Sequence, residues 1–187
     1  MDKVTIKNNE LYRVALFGRT NVGKSSLFNR LTGNSKAMVS NLAGTTRDAN
    51  FGVVDWQGQK FELADTGGII DLDKLFIKKV ITNDIDVQVQ RQIKSVLKKA
   101  HLILFVVDAK QGYNEEDKKV VLVLKKVFRD LNKIILVVNK ADNAKDRMNA
   151  TDFYKLAVGE PQMVSAHTGS GTGDLLEEVI KRLDYSL

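Results

Sequence analysis

The octapeptide Gly18-Arg19-Thr20-Asn21-Val22-Gly23-Lys24-Ser25 has the spacing G-x-x-x-x-G-K-[ST], and Ser26 follows it. Backbone N–H groups in such a loop turn inward and form an anion nest, extended by the N-terminus of the next helix. Gly18 and Gly23 permit the backbone angles and the close approach that a phosphate requires. Lys24 supplies a point charge for β- and γ-phosphates, and the Ser25 hydroxyl can ligate Mg2+. Asn21, Val22, Gly23, Lys24, Ser25 and Ser26 are therefore the expected phosphate-binding set. The bland alternative is an ordinary strand-loop-helix turn in which Ser25 or Ser26 caps the helix.

Three later motifs bear on which nucleotide such a loop would hold. In Asp65-Thr66-Gly67-Gly68 the carboxylate can hold Mg2+ through water, and the Gly68 N–H can sense a γ-phosphate. In Asn139-Lys140-Ala141-Asp142 the Asp142 carboxylate can accept two donors, N1–H and N2–H, from guanine. Adenine offers no such pair, which disfavours an ATPase. Asn139 can either reach the other edge of the base or brace the phosphate loop, and the Lys140 stem can lie over the ring. In Ser165-Ala166-His167 the Ala166 N–H can meet guanine O6, with His167 contributing mainly backbone. Each motif is weak alone. Their order and spacing, each at the end of an apolar run, carry the argument.

Those runs define the elements that must position the motifs. Leu11 to Phe17 reads as a strand and Ser25 to Leu31 as the start of a helix. The stretches FGVVDW and KFELAD flank Gln57-Gly58, a two-residue hairpin signal. Ile85, Val89, Ile93, Val96, Leu97 and Ala100 fall at helical spacing. LILFVVD and KIILVVN read as parallel strands buried on both faces. Between them, Glu115 to Leu131 begins with acids and places Lys125, Lys126 and Arg129 towards its end, which suits the helix dipole. QMVSA is a last short strand and GDLLEEVIKRL a closing helix. The economical packing is an α/β fold: a mostly parallel six-stranded sheet, one antiparallel edge strand, and helices on both faces. Ligands of such sheets bind at the carboxyl ends of strands, where Gly18, Asp65, Asp108, Asn139 and Ser165 all stand.

Composition narrows the classes further. The 187 residues contain no cysteine, which excludes disulfides and thiolate metal sites. No apolar run approaches the ~20 residues of a membrane helix, so a cytoplasmic protein without a membrane partner is the default. The net charge of +6 biases the chain mildly towards anionic partners. His101 before a buried strand reads as structural, and Trp56 as half-buried hairpin packing.

The stretches NVGKSSLFNRL, AGTTRD at 43–48, ADTGGI at 64–69, LFVVDAKQG and FYKLAVGEP at 153–161 resemble the first GTPase domain of the Der (EngA) family. These are bacterial ribosome-biogenesis members of the translation-factor-class, TrmE-Era-EngA-like P-loop GTPases. The resemblance runs from about Tyr12 onward. It implies the P-loop GTPase fold, GTP and GDP as ligands, hydrolysis with Mg2+, and a link to the large ribosomal subunit or its rRNA through a longer parent protein. No DNA partner is implied. Residues 1–187 would then form a single G domain, either part of a two-G-domain protein or a short relative. The resemblance also places GTTRD in switch I, where a threonine ligates magnesium. Thr45 and Thr46 both match chemically, and Thr46 is preferred.

The family usually has proline where this chain has Thr20. Ile69 belongs to the matched ADTGGI stretch but stands where Ras-like enzymes carry a water-orienting glutamine. By resemblance, families with this substitution recruit a monovalent cation, and Asn21 matches the asparagine that ligates it. This makes K+ a candidate second cofactor. The expected catalytic set is therefore Lys24, Thr46, Gly68 and Asn21, and the expected metal set is Ser25, Thr46 and Asp65. The alternative to a hydrolysing switch is a GTP-binding scaffold with negligible turnover, which Ile69 keeps open.

Overall fold

The computed structural model describes residues 11–33, 50–67, 94, 97–128 and 130–184. In chain order these form β1 (Tyr12–Phe17), α1 (Lys24–Leu31), β2 (Asn50–Trp56), β3 (Gln59–Asp65), β4 (Leu102–Asp108), α2 (Glu115–Val127), β5 (Ile134–Asn139), α3 (Ala144–Asn149), β6 (Gln162–Met163) and α4 (Thr172–Asp184). Short 3₁₀ turns span Leu131–Lys133 and Ala150–Leu156. The six strands lie in the order β2-β3-β1-β4-β5-β6. Every pairing is parallel except β2 with β3, whose hairpin forms the antiparallel edge.

Strand periodicity explains why the core has two halves. Successive side chains of a strand point to opposite faces, so a strand covered on both sides must be apolar throughout. All seven residues of β4 and all six of β5 are buried accordingly. Ile103, Phe105 and Val107 of β4 pack on one face with Val120, Val121 and Leu124 of α2. Leu102, Leu104 and Val106 pack on the other with Leu27, Phe28 and Leu31 of α1 and Leu175, Val179 and Leu183 of α4. β2, at the edge, alternates between exposed and covered residues instead. The hairpin turn takes left-handed backbone at both Gln57 (φ 52°) and Gly58 (φ 83°), the type I′ geometry that matches strand twist.

Two expected boundaries move. The helix expected from Glu115 towards Leu131 ends at Val127. Phe128 turns to extended backbone and packs its ring against the core, while the Asp130 side chain accepts the Asn132 N–H and starts a 3₁₀ turn. Such local side-chain bonds compete with helix continuation. Arg129 lies outside the described residues. The last strand is likewise confined to Gln162–Met163. Val164 N–H still reaches Val138 O, but the Ser165 N–H bonds Ser170 O and the Gly169 N–H bonds Ser165 O, so the chain closes into a loop. Of the helix expected from Ile85, only Lys94 and Leu97 are described as helical, and Leu97 is fully buried. His101 Nδ1 accepts the Arg13 N–H at 3.0 Å, and its ring stands edge-on to Tyr12, a structural role. Trp56 is half-buried against the α4 side of the core, and its Nε1 donates to Glu177.

One buried ion pair ties the loop after β1 to α2. Arg19 Nε donates to Asp117 Oδ1 and Nη1 to Glu116 Oε2, both at 2.8 Å, and Nη2 donates to Gln111 Oε1 at 3.1 Å. The Asp117 side chain is 1% exposed, and its Oδ2 has no hydrogen-bond partner among the described residues. Burial pushes the Asp117 carboxyl above its usual range, and Arg19 offsets only part of that rise. A carboxyl raised in the folded state stabilises the protein below its unfolded pKa and loses that contribution as pH rises through the folded value. Arg19→Met strands the carboxylate and should cost about 3–5 kcal/mol at neutral pH. Urea unfolding without nucleotide should show a markedly smaller loss near pH 4, and Arg19→Met/Asp117→Asn should regain much of the deficit. An equal loss at both pH values would mean that Asp117 is not the stranded charge.

Candidate functional site

The site grows from the ends of the strands. In the parallel register Asp65 of β3 lies level with Leu16 of β1, and Asp108 of β4 lies level with Asn139 of β5. With β6 also parallel to β5, the chain leaves the sheet along one edge after β1, β3, β4, β5 and β6.

The first loop follows β1 and enters α1 through Gly23, a left-handed N-cap (φ 92°) with no side-chain cap hydrogen bond. By contrast, α2 and α3 are capped by the Asn114 and Asn143 side chains. No side chain caps α1, the arrangement found where an anion takes the place of the cap. Lys24 is buried, and its Nζ donates to Gly18 O at 2.9 Å and to Arg19 O. Gly18 (φ 152°) leaves no room for a side chain, because a Cβ there would collide with Val106 O. Asn21 is exposed and left-handed (φ 61°), while Val22 is fully buried and anchors the loop to the core.

Ser25 does not cap the helix. Its hydroxyl donates to Asp65 Oδ2 at 2.7 Å, and Asp65 Oδ1 accepts the Gly67 N–H at 2.9 Å. Two hard oxygen donors meeting beside a phosphate loop suit Mg2+, which characteristically takes few protein ligands and completes its octahedron with phosphate oxygens and water. Thr45, Thr46, Gly68 and Ile69 lie outside the described residues.

The opposite wall of the site is built around Asn139, which is 1% exposed. Its Nδ2 donates to Val22 O at 3.0 Å and to Gly23 O at 3.4 Å, while its Oδ1 accepts the Ala166 N–H at 3.0 Å. Of the two roles open to this side chain, the geometry is that of the brace, and the brace extends to both loops. Lys140, left-handed at φ 65°, sends Nζ to Asn21 O at 2.7 Å and to Asp108 Oδ2 at 2.6 Å. Asp108 Oδ1 accepts the Lys110 N–H at 2.8 Å. The Asp142 carboxylate takes Ser165 Oγ–H on Oδ1 at 2.6 Å and Lys110 Nζ on Oδ2 at 2.7 Å. Hydrogen bonds from Lys110 and then Ser165 hold its carboxyl below the usual carboxylate range.

These residues enclose a cleft of about 570 Å³ lined by Gly23, Ser26, Arg30, Asn139, Asp142 and Ala166, among others. His167 and Lys110 also line it. Two of these were not picked out from the sequence. Arg30 stands four residues after Ser26 on α1, the spacing that places both on one helix face. Its Nε donates to Ala166 O at 2.9 Å and its Nη2 to His167 O at 2.6 Å, so α1 holds the loop after β6 directly. Lys110 stands two residues past the end of β4, and the aspartate at that strand end was the available signal.

The comparisons with known proteins agree with this geometry. Residues 13–140 match the family model described as "50S ribosome-binding GTPase". A protein named GTPase Der from Bacteroides thetaiotaomicron is 41% identical over 172 residues, covering 91% of this chain and 37% of the relative. The chain thus spans less than two fifths of that relative's length. Among solved structures, Era in complex with MgGDPNP and nucleotides 1506–1542 of 16S ribosomal RNA aligns with a TM-score of 0.66 at 29% identity, over 92% of this chain and 57% of that one. The G domain of the T. maritima FeoB iron transporter aligns with a TM-score of 0.63 at 27% identity, over 92% of this chain and 98% of that one. A helix without a side-chain cap behind a glycine-lysine-serine loop, an asparagine joining that loop to the loop after β6, and a family match over residues 13–140 place this chain in the 50S ribosome-binding GTPase family.

Proposed function

We propose that this GTPase domain binds GTP and GDP in the cleft between the loops after β1, β5 and β6. It would hydrolyse GTP as a switch within a longer protein acting in assembly of the large ribosomal subunit. The observation that carries the nucleotide assignment is the Asn139 side chain, bonded at once to Val22, Gly23 and Ala166. It supports a reading in which one ligand spans both loops, phosphates on one side and base on the other. The ribosomal part rests on the family description and on the Der relatives. Among the described residues no helix is long and apolar enough to cross a membrane, and neither a membrane nor DNA is proposed as a partner.

The roles follow from chemistry. The N–H groups of Asn21 to Ser26 cradle the phosphates, and Lys24 turns from its own loop carbonyls to the β- and γ-phosphates. Ser25 and Asp65, with Thr46, would hold Mg2+, whose bound charge offsets that of the phosphates. The Gly68 N–H meets the γ-phosphate. Asp142 accepts guanine N1–H and N2–H, the Ala166 N–H meets O6, and the Lys140 stem covers the ring, while Ser165 orients Asp142 and His167 contributes backbone. Asn21 offers a side-chain oxygen for K+, where a cation would offset the charge that develops as the terminal phosphate leaves.

Three measurements test this reading. Asp142→Asn should weaken GTP binding by ~2–4 kcal/mol and shift preference towards XTP, because the amide can donate to the oxygen replacing the N2 amine. Equal competition by ATP and GTP in the unaltered protein would overturn the guanine assignment.

Arg30→Ala should loosen the loop after β6 and weaken GDP binding about fivefold while leaving pyrophosphate binding unchanged. Loss of both would place Arg30's effect on the phosphate side.

Single-turnover GTP hydrolysis at constant ionic strength should run faster in K+ than in Na+, by less than the about 10³–10⁵-fold worth of an arginine finger. Asn21→Ala should abolish the difference with little change in GDP affinity. Identical rates in the two salts would remove the K+ assignment, and absence of phosphate release in either would favour the scaffold reading.

A further inference from the structure

Asp142 is held by two groups on two different oxygens. Ser165 Oγ–H occupies Oδ1 and the Lys110 ammonium occupies Oδ2. Anchoring both oxygens stops the carboxylate rotating. An ionised carboxylate offers about four lone-pair positions, so two remain after these bonds, one on each oxygen. Guanine presents N1–H and N2–H side by side and in the same plane, a pair of donors that needs one acceptor from each oxygen.

Lys110 differs from an ordinary surface lysine in how its backbone is fixed. Its N–H is bound by Asp108 Oδ1, while Asp108 Oδ2 holds Lys140, which also reaches Asn21 O. The residue that reaches Asp142 therefore springs from a carboxylate that itself braces the phosphate loop. Asp108 is 2% exposed and Lys110 about half exposed, so the anchor is rigid and the ammonium faces the cleft mouth.

We infer that Lys110 is a specificity-determining positioning residue of the base subsite, holding Asp142 as an oriented, acceptor-only carboxylate whose two unused positions match the guanine edge. This rests on the guanine reading above. A protonated Asp142 would present a donor where guanine also presents donors, so discrimination depends on keeping the proton off. The charged and polar groups facing the Asp142–Lys110 pair are Ser165 and His167 from the loop after β6, Asp108 with its partner Lys140, and Asp146 on α3. Lys110 is the largest influence lowering the Asp142 carboxyl, His167 acts in the same direction, and Asp108 and Asp146 act on Lys110 to keep it charged.

The test uses the whole chain with Mg2+ and a fluorescent GDP, titrated across pH and salt, in the unaltered protein, Lys110→Met and Lys110→Arg. Thermal unfolding checks that each variant is folded. Lys110→Met should weaken GDP binding roughly two- to fivefold at neutral pH and low salt, and high salt should shrink the difference. Because its Asp142 carboxyl is no longer held down by Lys110, the acid-side loss of GDP binding should begin at higher pH. Lys110→Arg should restore both the affinity and the acid limb, and the ratio of GDP to ADP affinity should fall only in the methionine variant. A folded Lys110→Met with unchanged affinity and an unchanged acid limb overturns the inference while leaving the guanine reading intact. An unaltered protein that binds ADP as well as GDP overturns both.

Discussion

A single buried amide decides how the two halves of the cleft sit relative to each other. Asn139 closes β5 with its side chain bonded three ways, the amide N–H groups on the loop after β1 and the amide oxygen on the loop after β6. An aspartate of the same shape would lose the donor, and a leucine would take this partner from Val22 O and the Ala166 N–H in a buried setting, each loss costing about 1–3 kcal/mol, while Gly23 O keeps the Leu27 N–H. The constraint runs outward from there. Gly23 can carry no side chain because a Cβ would occupy the position of Asn139 Nδ2. Val22 must be apolar because its carbonyl is drawn in to meet that amide while its side chain enters the core.

The electrostatics of the site follow the same economy. Lys24, Lys140 and Lys110 each have oxygen partners, respectively loop carbonyls, Asp108 with Asn21 O, and Asp142. Arg19, inside the glycine-lysine motif, points away from the cleft into α2 and is neutralised there. The loop thus presents one lysine rather than two cations, and that lysine is held by the Gly18 and Arg19 carbonyl oxygens. Donors already oriented before the ligand arrives lose less entropy on binding.

Much of this was legible from residue type and order. Continuous apolar runs of strand length gave β4 and β5 to within a residue, and Gln57-Gly58 marked the hairpin turn. The strand ends at Asp65, Asp108 and Asn139 stand where expected because parallel register aligns them. What escaped was decided by side chains acting across the fold. The chain leaves α2 at Val127 because Phe128 finds a place in the core and Asp130 finds a local N–H. The strand QMVSA shortens because Ser165 and Ser170 close a loop on each other. The brace that Asn139 makes to the phosphate loop, and the bond to Asp65 that Ser25 makes in place of a helix cap, depended on residues 117 and 40 positions away in sequence. The fold is local enough to read. The partnerships are not.

That division has a consequence for how the site tolerates change. Residues that line the cleft without bonding another loop, such as the exposed Ser26, can change without altering the frame. Residues that contact other loops cannot. Asp108 supports Lys140 and the Lys110 backbone, and Lys140 supports Asn21, so a change at Asp108 is felt both beside Asp142 and in the loop after β1. Coupled groups of this kind give non-additive effects when altered together. The loops after β1, β4 and β5 are therefore one mechanical unit joined at the strand ends, and altering Asp108 together with Lys140 should cost other than the sum of the two changes made singly.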